Sequence, residues 1–275
     1  MHRAFLCFLA LALALALVPS IALAADARLK QLDTMDAGRD WQAVGRLDIN
    51  GTGFCTGALI APNLVLTAAH CLYDKKTKAR INHEEIEFRA GWRHGTASAY
   101  RLVRRAVVHP KYQYDGSVSS ERVRNDVALL ELQRPIQNTT VKPFETAQRP
   151  RNGEKVGVVS YAHDRSEAPA LQEVCGILGS QKGVLVMSCE VDFGSSGAPI
   201  FYFEAGDARI VSVVSAKAEI QGAGVALGSD LEDSLTLLRA ELAAGRGHQQ
   251  EPEPGVNRIR VGSVRRDTGA KFIKP

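Results

Sequence analysis

From residue 41 onward, apolar and polar positions alternate in short runs separated by turn residues. Positions 44–49 read Val-Gly-Arg-Leu-Asp-Ile, and Asn50-Gly51-Thr52-Gly53 follows as a turn. The pattern predicts strands at 44–49, 54–60, 64–67, 86–90, 99–103, 105–108 and 127–132. A second series follows Pro143, at 155–161, 171–178, 184–189, 198–203 and 209–215, with 225–227 as a further candidate. Short strands with frequent turn signals predict an all-β chain, a barrel or a sandwich. The two series predict two subdomains, about 41–140 and 150–230. They are joined through 134–152, a polar stretch carrying Pro135, Pro143 and Pro150. One helical period stands apart, in Leu231, Leu235, Leu237, Leu238 and Leu242. Ser229 or Asp230 is placed to cap it, and it ends before Gly245.

The two ends of the chain follow other rules. An apolar run from Ala4 to Val18 follows His2 and Arg3, Pro19-Ser20 breaks it, and Ala22-Leu23-Ala24 forms a small-residue cleavage site. At about 15 residues the run is short of the roughly 20 needed to span a bilayer. Residues 1–24 therefore read as a secretory signal rather than an uncleaved anchor, and the chain as secreted or periplasmic. Residues 25–40 are polar without a pattern and read as a short propeptide or N-terminal arm. After a Pro/Glu/Gln-rich linker at 249–255, the last residues are basic, and 246–275 reads as a mobile tail.

Charge and cysteine content narrow the class. The net charge of +4 comes from the ends, Arg3 giving one and residues 246–275 four, so residues 25–245 are near −1. A body with that balance is not a nucleic-acid-binding one. With Cys7 in the signal, Cys55, Cys71, Cys175 and Cys189 remain, an even count in an exported chain. Of three pairings, Cys55–Cys71 and Cys175–Cys189 are favoured, because each brackets a short hairpin-like segment. Zinc is excluded by the spacing, with no paired histidine nearby. No acidic loop has a calcium-ligand pattern.

Asp192-Phe193-Gly194-Ser195-Ser196-Gly197-Ala198-Pro199 places serines between glycines. Alone this is an ordinary turn. Two further residues change its meaning. His70 ends the apolar run 64–69, and Asp126 opens the run 127–132, where a partly buried acid needs a partner. A hydroxyl, an imidazole and a carboxylate are the set that nucleophilic acyl transfer requires.

These three motifs occur in the order His, Asp, Ser. Together with Phe54-Cys55-Thr56-Gly57-Ala58-Leu59-Ile60, they make residues 41–243 resemble a chymotrypsin-fold (trypsin-like) serine endopeptidase, most similar to the bacterial branch that includes the glutamyl endopeptidases. The resemblance implies two six-stranded antiparallel β-barrels with the site between them and a helix at the C-terminal end. It implies His70 as general base, Asp126 as its orienting acid and Ser196 as nucleophile, with the amides of Gly194 and Ser196 as oxyanion hole. A polypeptide substrate follows; no cofactor and no metal ligands are assigned, calcium being bound by some members of the family, and a monomer is expected.

Departures from the family carry their own expectations. Animal members have an aspartate before the nucleophile, paired with an N-terminus freed by cleavage. Here Ser195 stands in its place and no Ile-Val-Gly-Gly-like start lies near Val44, so the fold is expected to be competent without that switch. The strand 211–216 should line the specificity pocket, with Val214 and Ser215 in it. Val214 occupies the position of the glutamyl branch's histidine. A six-residue count back from Ser196 gives Glu190 as a possible acid selecting Lys or Arg, against its reading as a surface acid; Asp192 lies four residues back. His83, His94, His109 and His163 read as exposed or hydrogen-bonded loop residues. Tyr112, Tyr114 and Asp115-Gly116 form a loop able to border the cleft. Two other functions are consistent with parts of the chain: a non-catalytic binding protein on a protease scaffold, and attachment to a membrane surface or polyanion through the basic tail.

Overall fold

The computed structural model describes residues 29–248, except 115–117, 205 and 221. The signal and most of the basic tail lie outside the described residues, as does Asp115-Gly116.

A two-residue strand β1 (Lys30–Gln31) precedes six strands: β2 (Val44–Ile49), β3 (Gly53–Ala61), β4 (Leu64–Thr67), β5 (Ile86–Ala90), β6 (Ala99–Val108) and β7 (Ala128–Leu132). These six close into an antiparallel barrel in the order β2-β3-β4-β7-β6-β5. Alternation along them fills its inside with Leu59, Val65, Phe88, Val103 and Leu130, all fully buried. Residues 99–108, which the pattern divides in two, form one strand. A register shift between Val103 and Arg105 breaks the alternation there.

The second series forms β8 (Lys155–Ala162), β9 (Arg165–Gln181), β10 (Val184–Met187), β11 (Pro199–Glu204), β12 (Asp207–Ile220) and β13 (Ala223–Asp230). Its pairings run β8-β9-β10-β13-β12-β11 and return from β11 to β8. Val158, Ile177, Leu185, Ile200 and Val211 fill this barrel. The strands β9, β12 and β13 extend well past the predicted segments. β12 carries a register shift between Val214 and Ala216, beside the site. A third apolar layer joins the barrels. Trp41 and Phe144 meet the Phe201 ring edge-on, with ring centres 5.0 and 4.7 Å away, and Leu66, Leu129, Val159 and Val213 surround them.

The arm at 25–40 is tied to both barrels from Lys30 on. β1 pairs with β9 at Leu171 and Ala170, and Leu32 is fully buried. The Arg93 guanidinium donates to the carbonyls of Leu32 (2.8 Å), Gly38 (2.9 Å) and Gly91 (3.2 Å). Two α-helices are present among the described residues, a short α1 (Ser120–Arg124) and α2 (Glu232–Ala243). Leu235 and Leu238 of α2 enter the layer between the barrels. Ser229 does not cap α2. It lies in β13, and its hydroxyl donates to the Val123 carbonyl at 2.5 Å. The Asp230 carboxylate meets the Glu232 amide at 3.4 Å instead.

Candidate functional site

His70 lies in a 3-10 turn, Ala69–Leu72, that leaves the end of β4. Asp126 lies just before β7. β4 and β7 are neighbours, with Thr67 paired to Ala128, so the two side chains emerge at one end of the first barrel. Asp126 is 1% exposed, and its carboxylate is nevertheless well met. The backbone amide of His70 donates to Oδ1 at 2.8 Å, and His70 Nδ1 lies 2.7 Å from Oδ2. The Ser215 hydroxyl donates to Oδ2 at 2.5 Å. A carboxylate facing Nδ1 favours the tautomer protonated there and leaves Nε2 as the basic nitrogen. Burial, followed by the charge of Asp126, pushes the Tyr112 phenol up, so this neighbour stays neutral.

Ser196 stands in a turn between β10 and β11. Gly194 and Gly197 have φ of +97° and +74°, in the left-handed region. A Cβ on Gly194 would meet the Phe54 ring at 2.5 Å, and one on Gly197 would meet Thr67 Oγ1 at 2.1 Å and the Thr56 carbonyl at 2.5 Å. Both positions need glycine for conformation and for space. The bonds that fix the turn use the amides of Ser195 (to Asp192 O), Gly197 (to Val214 O) and Ala198 (to Ser195 O). The amides of Gly194 and Ser196 take no part in them. Thr56 of β3 holds the turn from across the barrel interface. Its amide donates to the Ser196 carbonyl at 2.9 Å and its hydroxyl to the Gly194 carbonyl at 2.9 Å.

His70 and Ser196 line one cleft of about 200 Å³ between the barrels. Val191, Val214 and Ala216 give it an apolar wall, and Tyr114 borders it as the loop reading expects. Its rim carries Lys75, Lys217, Arg122, Asp192 and Phe193. Lys217 Nζ lies 2.8 Å from Asp192 and 4.9 Å from the Phe193 ring centre, and Lys75 Nζ lies 5.2 Å from the same ring. The Lys217 ammonium holds the Asp192 carboxyl below its usual range. Glu190 is exposed and outside the cleft lining, its amide donating to Gln172 Oε1 at 2.8 Å. The six-residue count therefore selects an acid that does not face the cleft. A carboxylate does reach the rim at Asp192, but a cation already answers it. Ser215 faces the cleft and is spent on Asp126.

Both favoured disulfides are present. Cys55–Cys71 ties β3 to the His70 turn, and Cys175–Cys189 ties β9 to the segment leading to Ser196. His83 and His109 are buried and hydrogen-bonded, while His94 and His163 are exposed. Thr56, Phe193, Lys75 and Lys217 are site residues to which the sequence assigns no role of their own. A threonine or lysine in a strand or loop has no local signal that it will point at a distant turn.

A structure-level neighbour shares this architecture. The solved "Structure of Glu endopeptidase in complex with MPD" aligns with a TM-score of 0.60 and 18% identity, covering 74% of this chain and 91% of that one. The profile of the family described as Trypsin matches residues 33–184, more than half of the chain. The chain belongs to the trypsin family. "Serine protease 23" of Homo sapiens is 27% identical over 163 residues, 54% of this chain and 42% of that protein. "Trypsin-2" of Salmo salar is 33% identical over 95 residues, 34% of this chain and 36% of that protein. The matches thus span less than half the length of these curated relatives.

Proposed function

We propose that this chain is a secreted or periplasmic serine endopeptidase, with residues 41–245 as its protease domain and 1–24 removed on export. The observation that carries the reading is the Asp126 carboxylate, bonded to both the amide and Nδ1 of His70, on a cleft that His70 shares with Ser196. His70 Nε2 takes the proton of Ser196 Oγ as that oxygen attacks a peptide carbonyl carbon. The carbonyl oxygen becomes an oxyanion that the Gly194 and Ser196 amides receive. Asp126 stabilises the imidazolium, and the Ser215 hydroxyl stabilises Asp126. The imidazolium then protonates the leaving amine, the C–N bond breaks and an acyl-enzyme remains. Water, deprotonated by His70, releases the acid and restores Ser196.

The cleft's apolar wall and the Lys75 ammonium on its rim, where Lys217 and Asp192 answer each other, fit an uncharged or acidic side chain better than a basic one. The test is labelling with a serine-directed fluorophosphonate under non-reducing conditions, followed by peptide-library profiling. Wild type should label and Ser196→Ala should not. An unlabelled wild type, or equal labelling of the variant, overturns the reading; a preference for Lys or Arg at P1 overturns the cleft assignment alone.

A further inference from the structure

An oxyanion-binding turn has to hold one peptide plane in one sense. The Phe193 carbonyl and the Gly194 N–H belong to the same planar trans unit and point in opposite directions. Whatever anchors that carbonyl aims that N–H. The anchor here is the backbone amide of His163, which donates to the Phe193 carbonyl at 2.7 Å. His163 lies in the two-residue turn of the β8–β9 hairpin, where Ala162 pairs with Arg165. The Ala162 Cα would meet a Cβ on Gly194 at 3.0 Å, so hairpin and turn are in contact.

The same hairpin reaches the neighbouring residue by a second route. Ser195 is fully buried. Its hydroxyl lies 3.2 Å from both Ser160 Oγ and the Tyr161 carbonyl, and it accepts from the Asp192 amide at 3.4 Å. Ser160 Oγ in turn accepts from Arg165 Nη2 at 3.3 Å. Arg165 is 9% exposed and forms an ion pair with the exposed carboxylate of Asp164 at 3.1 Å. Its Nε is buried with no partner among the described residues. A cation so incompletely matched does not make a barrel more stable than an apolar side chain would. Its place behind Ser195 calls for a reason other than packing.

We propose that Arg165 is a positioning residue for the serine chemistry: through Ser160 and Ser195, and with the His163 amide of the same turn, it keeps the Gly194–Ser196 amides facing the cleft. The turn is then held without a charge at position 195 and without an N-terminus freed by cleavage. The inference rests on the His70–Asp126–Ser196 reading above.

The full chain, purified from an exporting host, is titrated with a fluorophosphonate, and the saturating labelling rate, half-saturating concentration and pH profile are recorded. Arg165→Ala should lower the saturating rate about ten- to hundredfold, the scale of weakening an oxyanion donor. The half-saturating concentration and the shape of the pH profile should stay in place. Arg165→Lys, which still donates to Ser160, should recover most of the rate, and Arg165→Ala/Ser160→Ala should be no slower than the slower single variant. If Arg165→Ala does not fold, Ser160→Ala carries the test, since it removes one oxygen and breaks the same path. Labelling of a folded Arg165→Ala or Ser160→Ala at the wild-type rate overturns the inference while leaving the proposed function standing. So does a loss of rate that follows a fall in melting temperature and is not recovered by Arg165→Lys. A wild type that does not label removes the proposed function, and this inference with it.

Discussion

The first barrel builds its half of the site almost alone, whereas the second barrel does not. His70 and Asp126 leave adjacent strands of one closed sheet, three residues beyond Thr67 and two before Ala128. They are joined by two contacts of 2.7 and 2.8 Å, and the second barrel adds the Ser215 hydroxyl on the Asp126 carboxylate and the Ser229 hydroxyl 3.5 Å from the Asp126 carbonyl. The Ser196 turn is held from both barrels, its own supplying Val214, Ser160 and Tyr161. Thr56 reaches it from the first barrel and His163 from the β8–β9 hairpin, while Gly194 fits against Phe54. The acid–base pair is therefore a local product of strand pairing, and the nucleophile turn is a product of how the barrels pack. Disturbing the layer between the barrels should disable the turn before the pair.

The largest expected effect breaks the self-contained half. Asp126→Asn keeps the shape but presents an amide to His70 Nδ1 and no longer favours its protonated tautomer. Turnover should fall by about 10⁴-fold, with the fold intact by circular dichroism. A loss of less than about tenfold would mean that Asp126 does not orient His70.

The disulfides come next, and they separate stability from activity. They close segments of 16 and 14 residues, and each should contribute roughly 3 kcal/mol in the chain-entropy model. Replacing either pair by serine should therefore lower the denaturation midpoint by similar amounts. Activity should not follow equally. Loss of Cys175–Cys189 frees the chain leading to Ser196, so labelling should slow more than after loss of Cys55–Cys71. Equal slowing in the two variants would contradict the contrast between the halves.

Thr56→Val tests the dependence of the turn on the other barrel. The substitution keeps the shape and leaves the Gly194 carbonyl without its donor and the Tyr161 amide without its acceptor. The cost in stability should be about 1–3 kcal/mol, read by chemical denaturation. Labelling of Ser196 should slow in the folded variant, because the Gly194 peptide loses one of its anchors, while the His70–Asp126 contacts are untouched.

This asymmetry also explains what the sequence made legible. His70 and Asp126 each sit at the end of an apolar run, where strand ends are readable from alternation, and they give the glycine-flanked Ser196 its meaning. The all-β class and the first-barrel strands follow from the same periodicity. Register shifts at Val103/Arg105 and Val214/Ala216 are not readable, because an extra residue leaves no mark on composition. Glu190 shows the limit of counting along the chain: a residue six before Ser196 can face solvent when the loop does not follow the expected register. Thr56, Lys217 and Arg165 act across 138, 25 and 30 residues, on Gly194, Asp192 and Ser195, through contacts that no local pattern encodes; for Arg165, the distance to Ser195 along the chain is that of a whole supersecondary unit.

The smallest effect is a pH response confined to the first barrel. His83 is 2% exposed with Nε2 3.2 Å from the Arg104 carbonyl, and His109 is 9% exposed with Nδ1 accepting from the Lys111 amide. Burial holds both below the ordinary histidine value of 6.5, helped by Arg80 at His83, where Glu84 opposes it, and by Lys111 and Arg124 at His109. The unfolded chain then takes up protons before the folded one does. Stability is fully present above pH 6.5 and falls as pH drops from there toward the folded-state values. Glu131 is held low by its bond to Arg105, so its contribution is lost only in the more acidic carboxylate range. The second barrel's His163 is exposed. Melting temperature should therefore decline between about pH 7 and 5, and His83→Gln with His109→Gln should flatten that decline. A slope unchanged in the double variant would place the acid response elsewhere and remove this difference between the barrels.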